Sequence, residues 1–215
     1  MNNKIIERFH FITDGVEPGA HISQITGACE GGCKWVQLRV KDFDNQTWLN
    51  TAIKAKNITG KYNAKLIIND NVEITREVGA AGTHLGKTDM SIRKARDILG
   101  ESFIIGGTAN TFKDIITLYY DAPDYIGLGP YRFTTTKKKL SPVLGMNGFL
   151  SILTGMKENN INIPVIAIGG IKEDDISYLI NNGLHGVAVS SLIVNAEDIT
   201  VKTRAILDNI KNIKT

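Results

Sequence analysis

A chain of 215 residues that is 42% hydrophobic and 22% charged has the composition of an ordinary globular protein, long enough to bury a large core. Lysine and arginine number 25 against 22 aspartate and glutamate, and the formal net charge of +3 is too small to argue for nucleic acid or a membrane surface as a partner. Lys4, Glu7 and Arg8 precede the first apolar run, and nowhere do about 18 apolar residues run together, so neither a signal peptide nor a membrane span is expected and the chain reads as cytoplasmic.

Short apolar runs bounded by turn residues recur roughly every 20 to 30 residues. In chain order they are Phe9 to Thr13, Trp35 to Leu38, Leu66 to Ile68, Thr83 to Leu85, Phe103 to Ile105, Tyr125 to Leu128, Val165 to Ile168 and Gly186 to Val189. Between the first two stand Cys29 and Cys33, which lack a second Cys or His pair to complete a zinc site and read as structural thiols. Helical spacing fills the gaps between strands, as in Trp48, Ala52, Ala55 and Ile58, or Ile92, Ala95 and Ile98 ahead of a stopping Gly100. Runs such as Leu66-Ile67-Ile68 and Val165-Ile166-Ala167-Ile168 are apolar on consecutive positions, which suits parallel strands covered on both faces. Eight strand and helix units in this length predict an α/β protein, a (β/α)8 TIM barrel occupying residues 1–215 as a single catalytic domain. The main competitor, a doubly wound open sheet, is disfavoured because the turn Thr13 to Pro18 lacks the dinucleotide-binding glycine pattern.

In a barrel, the chemistry belongs at the C-terminal strand ends. After the second run, Gln37, Arg39 and Lys41 alternate and are expected to face one way, two of them cationic; inward cations call for an anion, or for barrel carboxylates. After the third and fourth runs come Asn69-Asp70-Asn71 and His84 to Asp89. Asp70 and Asp89 at neighbouring strand ends suit a Mg²⁺ shared with a substrate phosphate, the alternative being helix caps. His84, with no adjacent partner motif, reads as a packed or hydrogen-bonded histidine. Thr108 and Asn110 follow the fifth run, as ligand-orienting groups or helix-start signals. Gly127 to Lys139 runs from a glycine-broken strand end into Thr134, Thr135, Thr136 and Lys137, a set of hydroxyls and cations fit to hold phosphate, the alternative being a solvated basic loop. The ends of the seventh and eighth runs, Gly169-Gly170 and Ser190-Ser191, lie where such barrels often hold a phosphate. Two anion sites on one rim suggest a diphosphate leaving group in addition to a phosphate.

These residues resemble the thiamine-phosphate synthase family over nearly the whole chain. The resemblance rests on Gln37-Leu38-Arg39-Val40-Lys41, Ile67 to Asp70, Gly82 to Gly86 with Asp89, Gly127 to Pro130 with Thr134 to Lys138, Ala167 to Ile171, and Gly186 to Val189. It implies a Mg²⁺-assisted, dissociative joining of a hydroxymethylpyrimidine diphosphate to a plain or carboxylated thiazole phosphate. Both are small molecules, and a homo-oligomer is left open. It implies further that Gln37, Leu38, Arg39, Val40, Lys41, Asn69, Thr108 and Lys137 hold the pyrimidine diphosphate, with Lys137, Arg39 and Thr108 catalytic. Asp70 and Asp89 would hold Mg²⁺, while Thr134, Thr135, Thr136, Gly170, Ser190 and Ser191 would hold the thiazole phosphate under a loop able to act as a lid. Thr108 stands for a usual serine, Asn110 for a frequent histidine, and Val40 for a common glutamate. The related thiazole tautomerases place a proposed acid histidine at the position of Asn110, which leaves the synthase favoured. A non-catalytic sensor of a phosphorylated metabolite is the remaining alternative.

Overall fold

The computed structural model describes residues 4–133 and 142–213. Eight parallel strands pair in sequence order and close a barrel: β1 (Phe9–Ile12), β2 (Trp35–Leu38), β3 (Lys65–Asn69), β4 (Gly82–Leu85), β5 (Ile104–Ala109), β6 (Tyr125–Leu128), β7 (Val165–Ile168) and β8 (Gly186–Val189). The last strand returns to the first, with Phe9 beside Val187 and Phe11 beside Val189. Closure leaves no sheet edge to protect. The helices among the described residues are α1 (Pro18–Glu30), α2 (Asn45–Lys61), α3 (Val72–Glu77), α4 (Ile92–Leu99), α5 (Phe112–Asp121), α6 (Gly145–Glu158), α7 (Asp175–Asn181), α8 (Ser191–Val194) and α9 (Ile199–Lys211). None of them is long and apolar enough to cross a membrane.

The consecutive apolar positions of the strands are explained by two cores. In β3, Leu66 and Ile68 join the layer between barrel and helices, while Ile67 points into the barrel with Ile12, Trp35, Ile104, Tyr125 and Ile166. Strand residues therefore alternate between two apolar environments, and each fully buried Leu or Ile contributes about 1.5–3 kcal/mol of transfer free energy. Inside the barrel, His10 stacks on Trp35 at 4.1 Å between ring centroids, with the Tyr125 ring edge-on to both. Burial holds His10 well below the ordinary histidine pKa.

Local chemistry sets the helix starts. Pro18 opens α1, where its missing N–H would be unbonded anyway. Asp44, Asn71, Ser91 and Asp198 cap α2, α3, α4 and α9, each accepting a backbone N–H three residues on. Thr111 and Asp114 form a reciprocal capping box at α5. Gly100, with φ 82°, ends α4 where the sequence marks its stop. Both cysteines are free and buried, and burial pushes Cys29 up to about 11 and Cys33 up to about 12, as structural thiols require. The fifth strand is longer than its apolar run: β5 continues through Gly106, Gly107 and Thr108 to Ala109, so Thr108 is a strand residue rather than a loop residue.

Candidate active site

A cavity of about 540 Å³ opens at the C-terminal ends of the strands. On its β2 side stand Gln37 and Arg39. Burial pulls the Arg39 pKa below its usual value, opposed by the carboxylates of Asp14 and then Asp70. Lys41 does not line the cavity; it bonds Asp14 Oδ1 at 2.9 Å, and Arg39 lies 3.5 Å from the same oxygen. Arg39 and Lys41 of the expected row thus converge on one Asp14 oxygen, while only Gln37 and Arg39 of the three reach the cavity wall. The Leu38 and Val40 side chains pack in the outer core and line no part of the cavity, so only their backbone could meet a ligand there.

Asp14, which does not itself line the cavity, is a partner of these cations that the spacing did not reveal. Gln24 holds its backbone from both sides, accepting from Asp14 N at 3.1 Å and donating to Asp14 O at 2.6 Å. Its only sequence signal was its place at the end of the first strand.

Asn69 ends β3, and its amide donates to the Asp70 carboxylate and to His84 O. Asp70 has φ 64°, a left-handed conformation that Asp tolerates better than most residues. Neither carboxylate of the expected metal pair is a helix cap, since Asn71 caps α3 and Ser91 caps α4. Asp70 and Asp89 both line the cavity, and Asp89 Oδ2 also accepts from Gly86 N at 2.6 Å, which fixes its turn. Among the described residues no group of three or more His, Cys, Asp or Glu side chains gathers. A pair of hard carboxylates facing a cavity nevertheless suits Mg²⁺, which takes one or two of them and completes its shell with water and phosphate. Lys87 also lines the cavity and bonds Asp114 at 2.6 Å.

His84 is a hydrogen-bonded histidine, as expected, its two ring nitrogens each 3.0 Å from the Tyr125 and Thr108 hydroxyls. Neither Thr108 nor Asn110 starts a helix: Thr111 does, and Asn110 donates its amide to Gly129 O.

The opposite wall comes from β7 and β8. Gly169 and Gly170 have φ 94° and 67°, which L side chains rarely adopt. Tyr131 N and Arg132 N donate to Ile168 O and Gly169 O, both at 2.9 Å, so these two carbonyls are engaged by the backbone that follows β6. The Arg132 guanidinium spans the Asp175 carboxylate, which also accepts from Lys172 N at 2.8 Å and is thereby held below the usual carboxylate pKa. Ser190 and Ser191 line the same wall, and Ser190 Oγ is buried with no hydrogen-bond partner among the described residues. A buried hydroxyl without a partner is costly, and an anion accepting from it would remove that cost. Thr134, Thr135, Thr136 and Lys137 lie outside the described residues, as do Lys138 and Lys139.

The family model described as thiamine monophosphate synthase matches residues 9–193. A protein named thiamine-phosphate synthase from Bacteroides thetaiotaomicron is 47% identical over 203 residues, spanning 94% of this chain and 97% of that protein. Another of that name from Flavobacterium johnsoniae is 46% identical over 92% of each chain. Among solved structures, a thiamine phosphate pyrophosphorylase from Pyrococcus furiosus superposes with a TM-score of 0.84 at 26% identity, covering 97% of both chains. An orotidine 5'-phosphate decarboxylase from Pyrococcus horikoshii, at 15% identity and a TM-score of 0.67, shares the fold alone.

Proposed function

Because the chain belongs to the thiamine monophosphate synthase family, we infer that its cavity joins 4-amino-2-methyl-5-hydroxymethylpyrimidine diphosphate to a thiazole phosphate, giving thiamine phosphate and pyrophosphate. The enzyme is a transferase of thiamine biosynthesis that moves a pyrimidinylmethyl group. The bond from the pyrimidine methylene to the diphosphate oxygen breaks, pyrophosphate departs with the bonding pair, and the thiazole ring nitrogen donates the pair that forms the new C–N bond. Such a step needs charge stabilisation and alignment more than a protein base.

The observation that carries this reading is that Arg39, Asp70 and Asp89 line one cavity with Gly170 and with the Ser190 hydroxyl, which has no hydrogen-bond partner among the described residues. One set suits a diphosphate and its counter-ion, the other a phosphate monoester. Arg39 would bind the diphosphate and stabilise it as it leaves, with Gln37, Asn69 and Thr108 orienting the substrate. Lys41, which spends one of its three donors on Asp14, would join with another. Asp70 and Asp89 would hold Mg²⁺, which when bound would neutralise charge on the departing diphosphate. Gly170, Ser190 and Ser191 would hold the thiazole phosphate, and the resemblance adds Thr134 to Thr136 there and Lys137 at the diphosphate. Residues 1–215 would act as one catalytic domain in the cytoplasm on small-molecule substrates.

Isomerisation by a thiazole tautomerase is disfavoured because Asn110 supplies no acid and commits its amide to Gly129 O. Incubating the protein with both substrates and Mg²⁺ is expected to release pyrophosphate in step with thiamine phosphate. No thiamine phosphate under those conditions would overturn the assignment.

A further inference from the structure

A file of hydrogen bonds runs from the cavity wall into the inner core of the barrel. The Tyr125 hydroxyl lies 3.0 Å from His84 Nδ1, and His84 Nε2 lies 3.0 Å from Thr108 Oγ1. Strand register builds this file, placing His84 beside Gly106, Gly106 beside Tyr125, and Thr108 beside Gly127. The two glycines let the rings meet. A Cβ on Gly106 would fall 2.2 Å from Tyr125 Cζ and 2.7 Å from His84 Nδ1, and one on Gly127 would fall 3.0 Å from His84 Cε1.

Proton accounting fixes the direction of each bond. Tyr125 is 1% exposed, and among the described residues its hydroxyl bonds only to His84. Burial raises its pKa far above the ordinary phenol value, so it keeps its proton. A buried O–H needs an acceptor, and His84 Nδ1 accepts only when unprotonated. The proton of the neutral imidazole then sits on Nε2 and donates to Thr108 Oγ1. Having accepted there, the half-buried Thr108 must aim its own proton elsewhere, and it lines the cavity with Asn69 and Arg39. With the bonds reversed, the Tyr125 proton would be stranded in the core and Thr108 would present a lone pair to an anion.

We propose that Tyr125 and His84 are positioning residues that hold the Thr108 hydroxyl as a hydrogen-bond donor to the anionic leaving group of the substrate. This rests on the synthase reading and deepens it, turning one cavity hydroxyl into an oriented donor for the diphosphate.

Two measurements test it together. Ring-nitrogen NMR shifts of ¹⁵N-histidine protein, with His84→Gln supplying the assignment, are expected to show His84 protonated at Nε2 and bare at Nδ1, a preference lost in Tyr125→Phe. In a double-mutant cycle, Tyr125→Phe and Thr108→Ala are each expected to lower kcat/KM for the pyrimidine diphosphate about tenfold or more, the scale of a hydrogen bond to a charged group. Tyr125→Phe should cost nothing further once Thr108 is alanine, whereas Thr108→Ser should preserve both rate and coupling. A proton on Nδ1 in the unmodified protein would overturn the proposal. So would an equal cost of Tyr125→Phe with and without the Thr108 hydroxyl, since that is the signature of packing. If the unmodified protein makes no thiamine phosphate, the synthase reading fails, and the ring-nitrogen shifts still decide the orientation of the relay.

Discussion

Arg39 is a largely buried cation whose charge is supported by Asp14 and Asp70, and a diphosphate would compete with Asp14 for both Arg39 and Lys41. Arg39→Ala is therefore expected to lower kcat/KM by about a hundredfold or more, as removal of transition-state charge stabilisation does, and steady-state kinetics would check it. Lys137→Ala is expected to do the same if the resemblance assigns that residue rightly. Asp14→Asn should act in the other direction on product, tightening pyrophosphate binding severalfold in calorimetry because a competing carboxylate is gone. Weaker binding would mean that Asp14 holds the cations in position rather than opposing the ligand. The role of Asp14 was invisible in the sequence because charge pairing across loops depends on where the strands stop. Asp70, Asp89 and Ser190 were legible because a barrel sends every strand end to one rim, so residue type and position after a strand were enough to bring them together.

At the scale of elements, all eight strands were readable from apolar runs and turn residues, and what escaped was their length. β2 ends at Leu38, as its apolar run does, whereas β5 extends to Ala109 and so captures Thr108. That extension depends on ladder hydrogen bonds to neighbours, which a single run of sequence does not encode. Glycines hid the end of β5, since Gly106 and Gly107 read as a turn when taken alone. In the barrel they give space to Tyr125 and His84 on one side and to Leu118 on the other. Helix starts were less legible still, because Thr108 and Asp89 are as suitable by type as the residues that cap, Thr111 and Ser91. Thr111→Ala removes one half of the α5 capping box and should destabilise the protein by about 1 kcal/mol in denaturant unfolding, with a midpoint change and no change in slope.

Across the whole molecule, two buried histidines, one inside the barrel and one on α1, carry a pH dependence. His10 and His21 both titrate below the ordinary value of 6.5 because burial disfavours their charged forms. The unfolded chain therefore binds more protons than the folded one below about pH 6.5, so stability is full above that pH and falls as pH drops toward the folded-state values. Thermal unfolding between pH 7.5 and about 5 should show the loss. His10→Phe, which keeps an aromatic ring against Trp35, should flatten it, and an unchanged slope would place the effect on other groups.

Cys29 near the end of α1 and Cys33 just before β2 turn the barrel wall into its own clock. With both thiols buried and held protonated at neutral pH, a thiol-specific dye can label them only in molecules whose α1 flank has come away from the sheet. Labelling in step with global unfolding would mean that the closed ring of strands opens as one unit. Faster labelling would mean that the first helix peels off while the remaining staves stay joined.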